Sequence, residues 1–133
     1  MAIRPLFSAS CRDCSASFGY PSLGDSAYGS WILSSEDGQR FAYVEVFSDF
    51  PSRLNSLLKT TGSRLQVWDA LASLADQPTS HRWVTGIRCP HCGSDKIASW
   101  DGSGCGEVEI PDATFARADM LSDHEICEQL KAV

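Results

Sequence analysis

The sequence predicts an α+β fold. Antiparallel strands near the two ends of the chain join a central β-hairpin, two helices cover this sheet, and a C-terminal helix packs alongside. Three observations predict it. Two C-x-x-C pairs, Cys11/Cys14 and Cys89/Cys92, stand among strand-like residues, with 74 residues between Cys14 and Cys89. An Asp37-Gly38 turn separates two runs rich in apolar residues, the short-range signal of a hairpin. Leucines then recur at i, i+3, i+4 from Leu54 onward, the spacing of a helix with one apolar face.

In chain order, residues 3–8 and 16–20 read as short strands bracketing the first cysteine pair, and Gly19 to Gly29 as a turn-rich loop. Ser30–Ser34 and Arg40–Phe47 are the two hairpin strands. In the second, Val44 and Val46 share one face and Phe41, Tyr43, Glu45 and Phe47 the other, so it is expected to be covered on both sides. Ser48 or Asp49 can cap a first helix with Pro51 in its first turn, and Gly62 ends it. A second helix is expected from near Ser63, with Leu65, Trp68, Leu71, Ala72 and Ala75 on a core-facing stripe, stopping before Pro78. Residues 77–81 connect back to the second cysteine pair. Beyond Trp100, residues 101–106 (Asp-Gly-Ser-Gly-Cys-Gly) read as a flexible turn, and Glu107–Ile110 as a half-exposed strand closed by Pro111. Ser122 and Glu125 form a capping box for the last helix, in which Ile126 and Leu130 share a face.

A C-x-x-C loop turns tightly enough for both sulfurs to face one ion, and two loops supply the four thiolates of a closed tetrahedral Zn²⁺ site. The second pair reads Cys89-Pro90-His91-Cys92-Gly93, with Trp83, Val84 and Ile87 before it and Ile97, Ala98 and Trp100 after it. The first pair has Ser15 where the second has glycine. Cys11, Cys14, Cys89 and Cys92 are therefore the candidate ligands of one structural zinc, and His91 an exposed loop residue. Four thiolates around Zn²⁺ leave a charge of −2, which Arg4, Arg12, Arg88 and Lys96 would offset. Cys105, His124 and Cys127 could chelate a second ion, although a buried thiol and an exposed imidazole explain them more simply. Two other readings of the cysteines stand beside the metal. One is a disulfide framework, disfavoured by the clustered spacing in a chain without an apolar leader. The other is dithiol redox chemistry at Cys89-Pro90-His91-Cys92, disfavoured because Gly93-Ser94-Asp95 interrupts any helix that would lower the thiol pKa.

The 133 residues are 43% apolar with four Trp and six Phe, enough for a packed core without help from a metal. No apolar run is long enough for a membrane-spanning helix, and the expected location is the cytoplasm. The charge is segregated: residues 1–100 carry nine basic and nine acidic groups, whereas residues 101–133 carry eight acids against Arg117 and Lys131, so the whole excess of −6 lies there. Nucleic-acid binding draws on lysine and arginine contacts to phosphate, so a basic protein is the better partner. The candidate contact residues are Glu107, Glu109, Asp112, Asp119, Asp123, Glu125 and Glu128. No nucleophile elbow, phosphate loop or metalloprotease helix is present, so no enzyme activity is expected.

The two cysteine motifs with their flanking strands resemble the zinc-ribbon, or rubredoxin-like, family, over perhaps 40 of the 133 residues. The resemblance implies a metal-stapled three-stranded ribbon built from residues 3–20 and 83–101, an insertion over 21–82 and an acidic extension over 102–133, all in one domain. The layout, size and acidity are also similar to bacterial double-C-x-x-C-G proteins, some of which are immunity proteins. That likeness implies a cytosolic inhibitor that caps a basic toxin such as a nuclease; the alternative it leaves is a zinc-ribbon adapter in transcription or RNA metabolism.

Overall fold

Residues 2–21 and 97–110 contribute the strands of one sheet, and the middle of the chain builds another. In the computed structural model, which describes residues 2–23 and 29–131 apart from the side chains of residues 101–103 and 105, the elements run β1 (Ala2–Cys11), β2 (Ser17–Pro21), β3 (Ser30–Ser35), β4 (Phe41–Glu45), α1 (Asp49–Thr60), α2 (Val67–Leu74), β5 (Trp83–Val84), β6 (Ile97–Ile110), α3 (Ala116–Asp119) and α4 (Asp123–Leu130). The mixed α+β class with antiparallel strand pairs and a C-terminal helix is as the sequence implies. The strands form two three-stranded sheets, ordered β2-β1-β6 and β4-β3-β5.

The second sheet carries the apolar core. Leu33, Ala42 and Val44 of its inner face pack against Phe50, Leu54 and Leu58 of α1, Leu71 and Leu74 of α2, and Ile126 of α4. Trp31 stacks on Trp68 with ring centroids 4.8 Å apart, and Phe50 on Phe115 at 5.0 Å. The return strand β4 is an edge strand, and its outer edge is covered by the chain after β6: Tyr43 N–H donates to Pro111 C=O and Ala113 N–H to Tyr43 C=O. Tyr43 is thus half-buried, as expected, whereas Phe47 lies past the end of β4 and is exposed.

Two segments depart from the sequence reading. Residues 101–106, read as a turn, lie inside β6, which runs 14 residues beside β1. The reason is in β1: its proline cannot donate to the ladder, and the pairing slips near it, between Pro5 and Phe7 and again between Phe7 and Ala9. Gly104 and Gly106 lie at these slips, so glycines that signal a turn locally serve here as bulge positions. Likewise, Trp83 and Val84, read as the strand leading into the second cysteine pair, join β3 opposite Ser35 and Ser34, and Ile87 lies outside any strand. The second helix also begins at Val67 rather than near Ser63, and the short α3 carries no sequence signal of its own. Asp76 caps it from a distance, its carboxylate accepting from Ala116 N–H (2.8 Å), Arg117 N–H (3.2 Å) and the Thr114 hydroxyl (2.9 Å).

Candidate metal centre

β1 and β6 deliver the two cysteine loops to one end of their sheet. Arg12 N–H donates to Lys96 C=O at 2.8 Å, and Ser94 Oγ donates to Asp13 at 2.6 Å, which ties the loops to each other. The loops are built alike. In the first, Cys11 N–H donates to Ala16 C=O (2.9 Å) and Ser15 N–H to Cys11 C=O (3.0 Å); in the second, Cys89 N–H donates to Ser94 C=O (2.9 Å) and Gly93 N–H to Cys89 C=O (2.7 Å). The residue after the second cysteine is left-handed in both, with φ of 62° at Ser15 and 76° at Gly93. Ser15 thus adopts the backbone that glycine adopts more cheaply.

This pairing of loops brings the sulfurs of Cys11, Cys14, Cys89 and Cys92 all within 4.8 Å of one another. Cys11 Sγ lies 3.5 Å from Cys92 Sγ, and Cys14 Sγ 3.6 Å from Cys89 Sγ. A tetrahedral ion with metal–sulfur bonds of about 2.3 Å spaces its sulfurs by about 3.8 Å, so the cluster is the size of a tetrathiolate cage. These contacts are more than a covalent S–S bond apart, and every described cysteine is a free thiol. Cys11 and Cys89 are buried, at 2% and 0% exposure, while Cys14 and Cys92 face solvent.

The electrostatics of the bare thiols argue for a cation among them. The backbone N–H of Cys14 chiefly lowers the Cys11 thiol to about 7, against the opposing effect of burial. For Cys92 the Ser94 N–H also lowers the pKa, but the Cys11 sulfur, burial and the other two sulfurs outweigh it and push the thiol up to about 12. Cys14 goes the same way: the Ala16 N–H lowers it, and burial with the Cys89 and Cys11 sulfurs raises it overall. One thiolate forms readily and then opposes the next. Four thiolates this close repel one another unless a positive ion lies among them. Donor type, spacing and backbone N–H donors such as that of His91, 3.4 Å from Cys89 Sγ, fit a metal ion.

The chain matches no family model, no curated protein and no solved structure. The β3–β4 turn braces the second loop: Gln39 Nε2 donates to Pro90 C=O, and a Cβ on Gly38 would lie 2.7 Å from Arg88 O. Only a glycine, here at φ 74°, lets the turn come so close. Arg82 pairs with Glu36 at 3.0 Å, and His81 lies within 3.5 Å of Glu36 and 3.3 Å of Asp37, which holds this turn in place. Its part in the site has a weak sequence signal, the Asp-Gly pair, which predicts a tight turn but not what the turn touches.

Of the four cations expected to offset the cage, Arg12 and Lys96 are exposed beside the loops, and Arg88 donates to Gly93 C=O at 3.3 Å. Arg4 is a correction. It sits seven residues along β1 from Cys11, about 23 Å of extended chain, where its guanidinium donates to the carbonyls of Ser22 and Leu23. Among the described residues the four cysteines are the one cluster able to hold a metal. His124 is exposed and Cys127 half-buried on α4, and the Cys105 side chain lies outside the described residues.

The seven candidate acidic contact residues are all exposed, but they do not form one free face. Asp119 and Asp123 lie 3.6 and 2.9 Å from Arg53, Glu125 is spent in the capping box, and Glu128 pairs with Lys131 at 2.8 Å. Glu107 and Glu109 stand on β6. Asp112 and Asp119 converge with Glu45 and Asp49 around a groove of about 440 Å³ whose walls include Tyr43, Phe50 and Phe115. Glu45 and Asp49 were missed from sequence because they belong to the hairpin and α1, far from the acidic end of the chain.

Proposed function

We propose that the four cysteines hold one structural Zn²⁺, and that the protein is a cytoplasmic, non-catalytic binding protein of zinc-ribbon type that caps a basic protein. An immunity protein against a toxin, for instance a nuclease, is the reading its composition favours. Sulfur ligands without a histidine or carboxylate among them suit zinc, and four thiolates leave no open coordination position. The observation that carries the binding role is the groove at the β4–α1 corner, where Glu45, Asp49, Asp112 and Asp119 meet the aromatic surface of Tyr43, Phe50 and Phe115. A lysine or arginine of a partner would find carboxylates for its charge and a ring face for its stem there. Complementary charge would speed the encounter, and a buried aromatic anchor would slow release. The nucleic-acid alternative would need a basic face assembled from Arg4, Arg12, Arg82, Arg88 and Lys96, and it draws less support because Arg4 and Arg82 are engaged within the chain.

Elemental analysis should give one zinc per chain, and calorimetry with the purified product of the neighbouring gene should give an exothermic complex that weakens as salt is raised. Replacing Glu45 and Asp112 together by lysine should reduce that affinity at least tenfold. Affinity no tighter than millimolar, or a double variant that binds as well as the wild type, would defeat the binding role.

A further inference from the structure

The second sheet has an open edge. β3 bonds to β4 through its odd-numbered residues, as Ser35 N–H donating to Arg40 C=O shows, and Glu36 N–H points the other way, to Arg82 C=O. The even-numbered residues of β3 therefore direct their amides away from β4, toward β5. But β5 is two residues long and pairs only with Ser34 and Ser35. Past Val84 the chain leaves the sheet, and among the described residues no strand lies beside Ser30–Leu33 on that side. Among the described residues, nothing thus pairs with the N–H and C=O of Ile32 on that side.

Beside this edge lies a groove of about 500 Å³ between the two sheets, within the range of ligand sites. Tyr20, Ile32, Phe41, Ile87 and Trp100 give it an apolar lining, and Trp100 is 67% exposed beside it. In a chain with 17 acids against 11 bases, its lining holds no carboxylate and one cation, Arg88. Arg88 donates one N–H to Gly93 C=O and has four more to offer. Trp31 also lines the groove, and its indole N–H is buried without a hydrogen-bond partner.

We propose that this groove binds an extended, apolar peptide segment of a partner protein that ends in a free carboxylate. The segment adds a strand to the β3 edge beyond β5, exchanging backbone hydrogen bonds with Ile32, while its carboxylate meets the Arg88 guanidinium. The open backbone pair selects a peptide over a small apolar molecule, and the lone cation in a lining without carboxylates selects a negative end. None of the acidic residues of the basic-partner groove lines it, so the two sites stand or fall separately.

The test titrates the zinc-loaded full chain with the pentapeptide acetyl-Thr-Val-Thr-Val-Phe, once as the free carboxylate and once as the C-terminal amide. Tryptophan fluorescence and the NMR shift and hydrogen exchange of the Ile32 amide are followed. The expected result is saturable binding of the carboxylate peptide with protection of the Ile32 amide, and at least tenfold weaker binding of the amide peptide. Arg88→Gln should erase that difference, with the zinc content of the variant measured alongside. A Cβ at Gly86, in the groove wall, meets nothing within 4 Å, so Gly86→Trp should fold normally, fill the groove and abolish binding. No binding of either peptide at millimolar concentration, equal binding of the two, or undiminished binding to Gly86→Trp would each overturn the proposal. So would an Ile32 amide already protected in a concentration-dependent dimer, which would make a second copy the occupant.

Discussion

The two sheets are held by different means. The β4-β3-β5 sheet lies under α1, α2 and α4, and its interior is a continuous set of leucines, aromatics and alanines. No described residue of the β2-β1-β6 sheet belongs to that cluster. Among the described residues its buried ones are few: Ala9, Tyr20, Pro21 and Ile110, with Cys11 at the cage. Where apolar side chains are plentiful, burial at roughly 25 cal/mol per Å² suffices. Where they are scarce, four sulfurs gather at the end of the ladder, in the manner of small domains that lack a core of their own. One chain thus uses both solutions, joined by the β3–β4 turn that rests on the second cysteine loop.

The comparison breaks most visibly at the metal. Chelation, or Cys89→Ser at the buried ligand, should release the ion and melt β1, β2 and β6, while helical circular dichroism from α1 and α2 largely survives. Amide exchange mapped along the chain checks this, and a single loss of all structure together would show that the two halves are not separable. Next in size, Leu54→Ala empties a fully buried site in the other half and should cost about 2–5 kcal/mol in denaturant unfolding, with zinc affinity changed little.

Smaller effects sharpen the contrast. Asp76 ties α2 to α3, and its pKa is lowered: burial raises it, but the Thr114 hydroxyl and the Ala116 and Arg117 amides outweigh that. A carboxyl with a folded pKa below its unfolded value stabilises the protein above about pH 4 and loses that contribution as the pH falls through the folded value. Asp76→Asn should therefore lower stability at pH 7 and flatten the acid limb of the stability profile. An unchanged acid limb would refute the capping role. Smallest is Ser15→Gly, which should raise stability by about 1 kcal/mol by relieving the left-handed backbone, with the gain confined to the metal-held half.

Much of this was legible because the signals were local. The C-x-x-C spacing located the cage ligands, the Asp-Gly pair the hairpin, the Leu54/Leu57/Leu58 spacing α1, and Ser122 with Glu125 the cap of α4. What escaped depended on distant partners. The glycines of residues 101–106 mark a turn until β1 lies beside them, and Trp83 and Val84 look like part of the cysteine ribbon until β3 claims them. The acidic end of the chain was read as a face, yet four of its seven candidate carboxylates are drawn into ion pairs or a cap within the chain. Charge counts along a sequence cannot register an arginine at position 53.

The pairing of β1 with β6 places one strand beside another synthesised about a hundred residues later. On the ribosome, Cys11 and Cys14 emerge long before Cys89 and Cys92, so the N-terminal loop waits as a pair of reactive thiols. The hairpin and the two middle helices meanwhile draw on nearby sequence for their contacts and can close first, since short loops cost less entropy. Assembly should then finish by pairing β1 with β6, which brings the two cysteine loops together last.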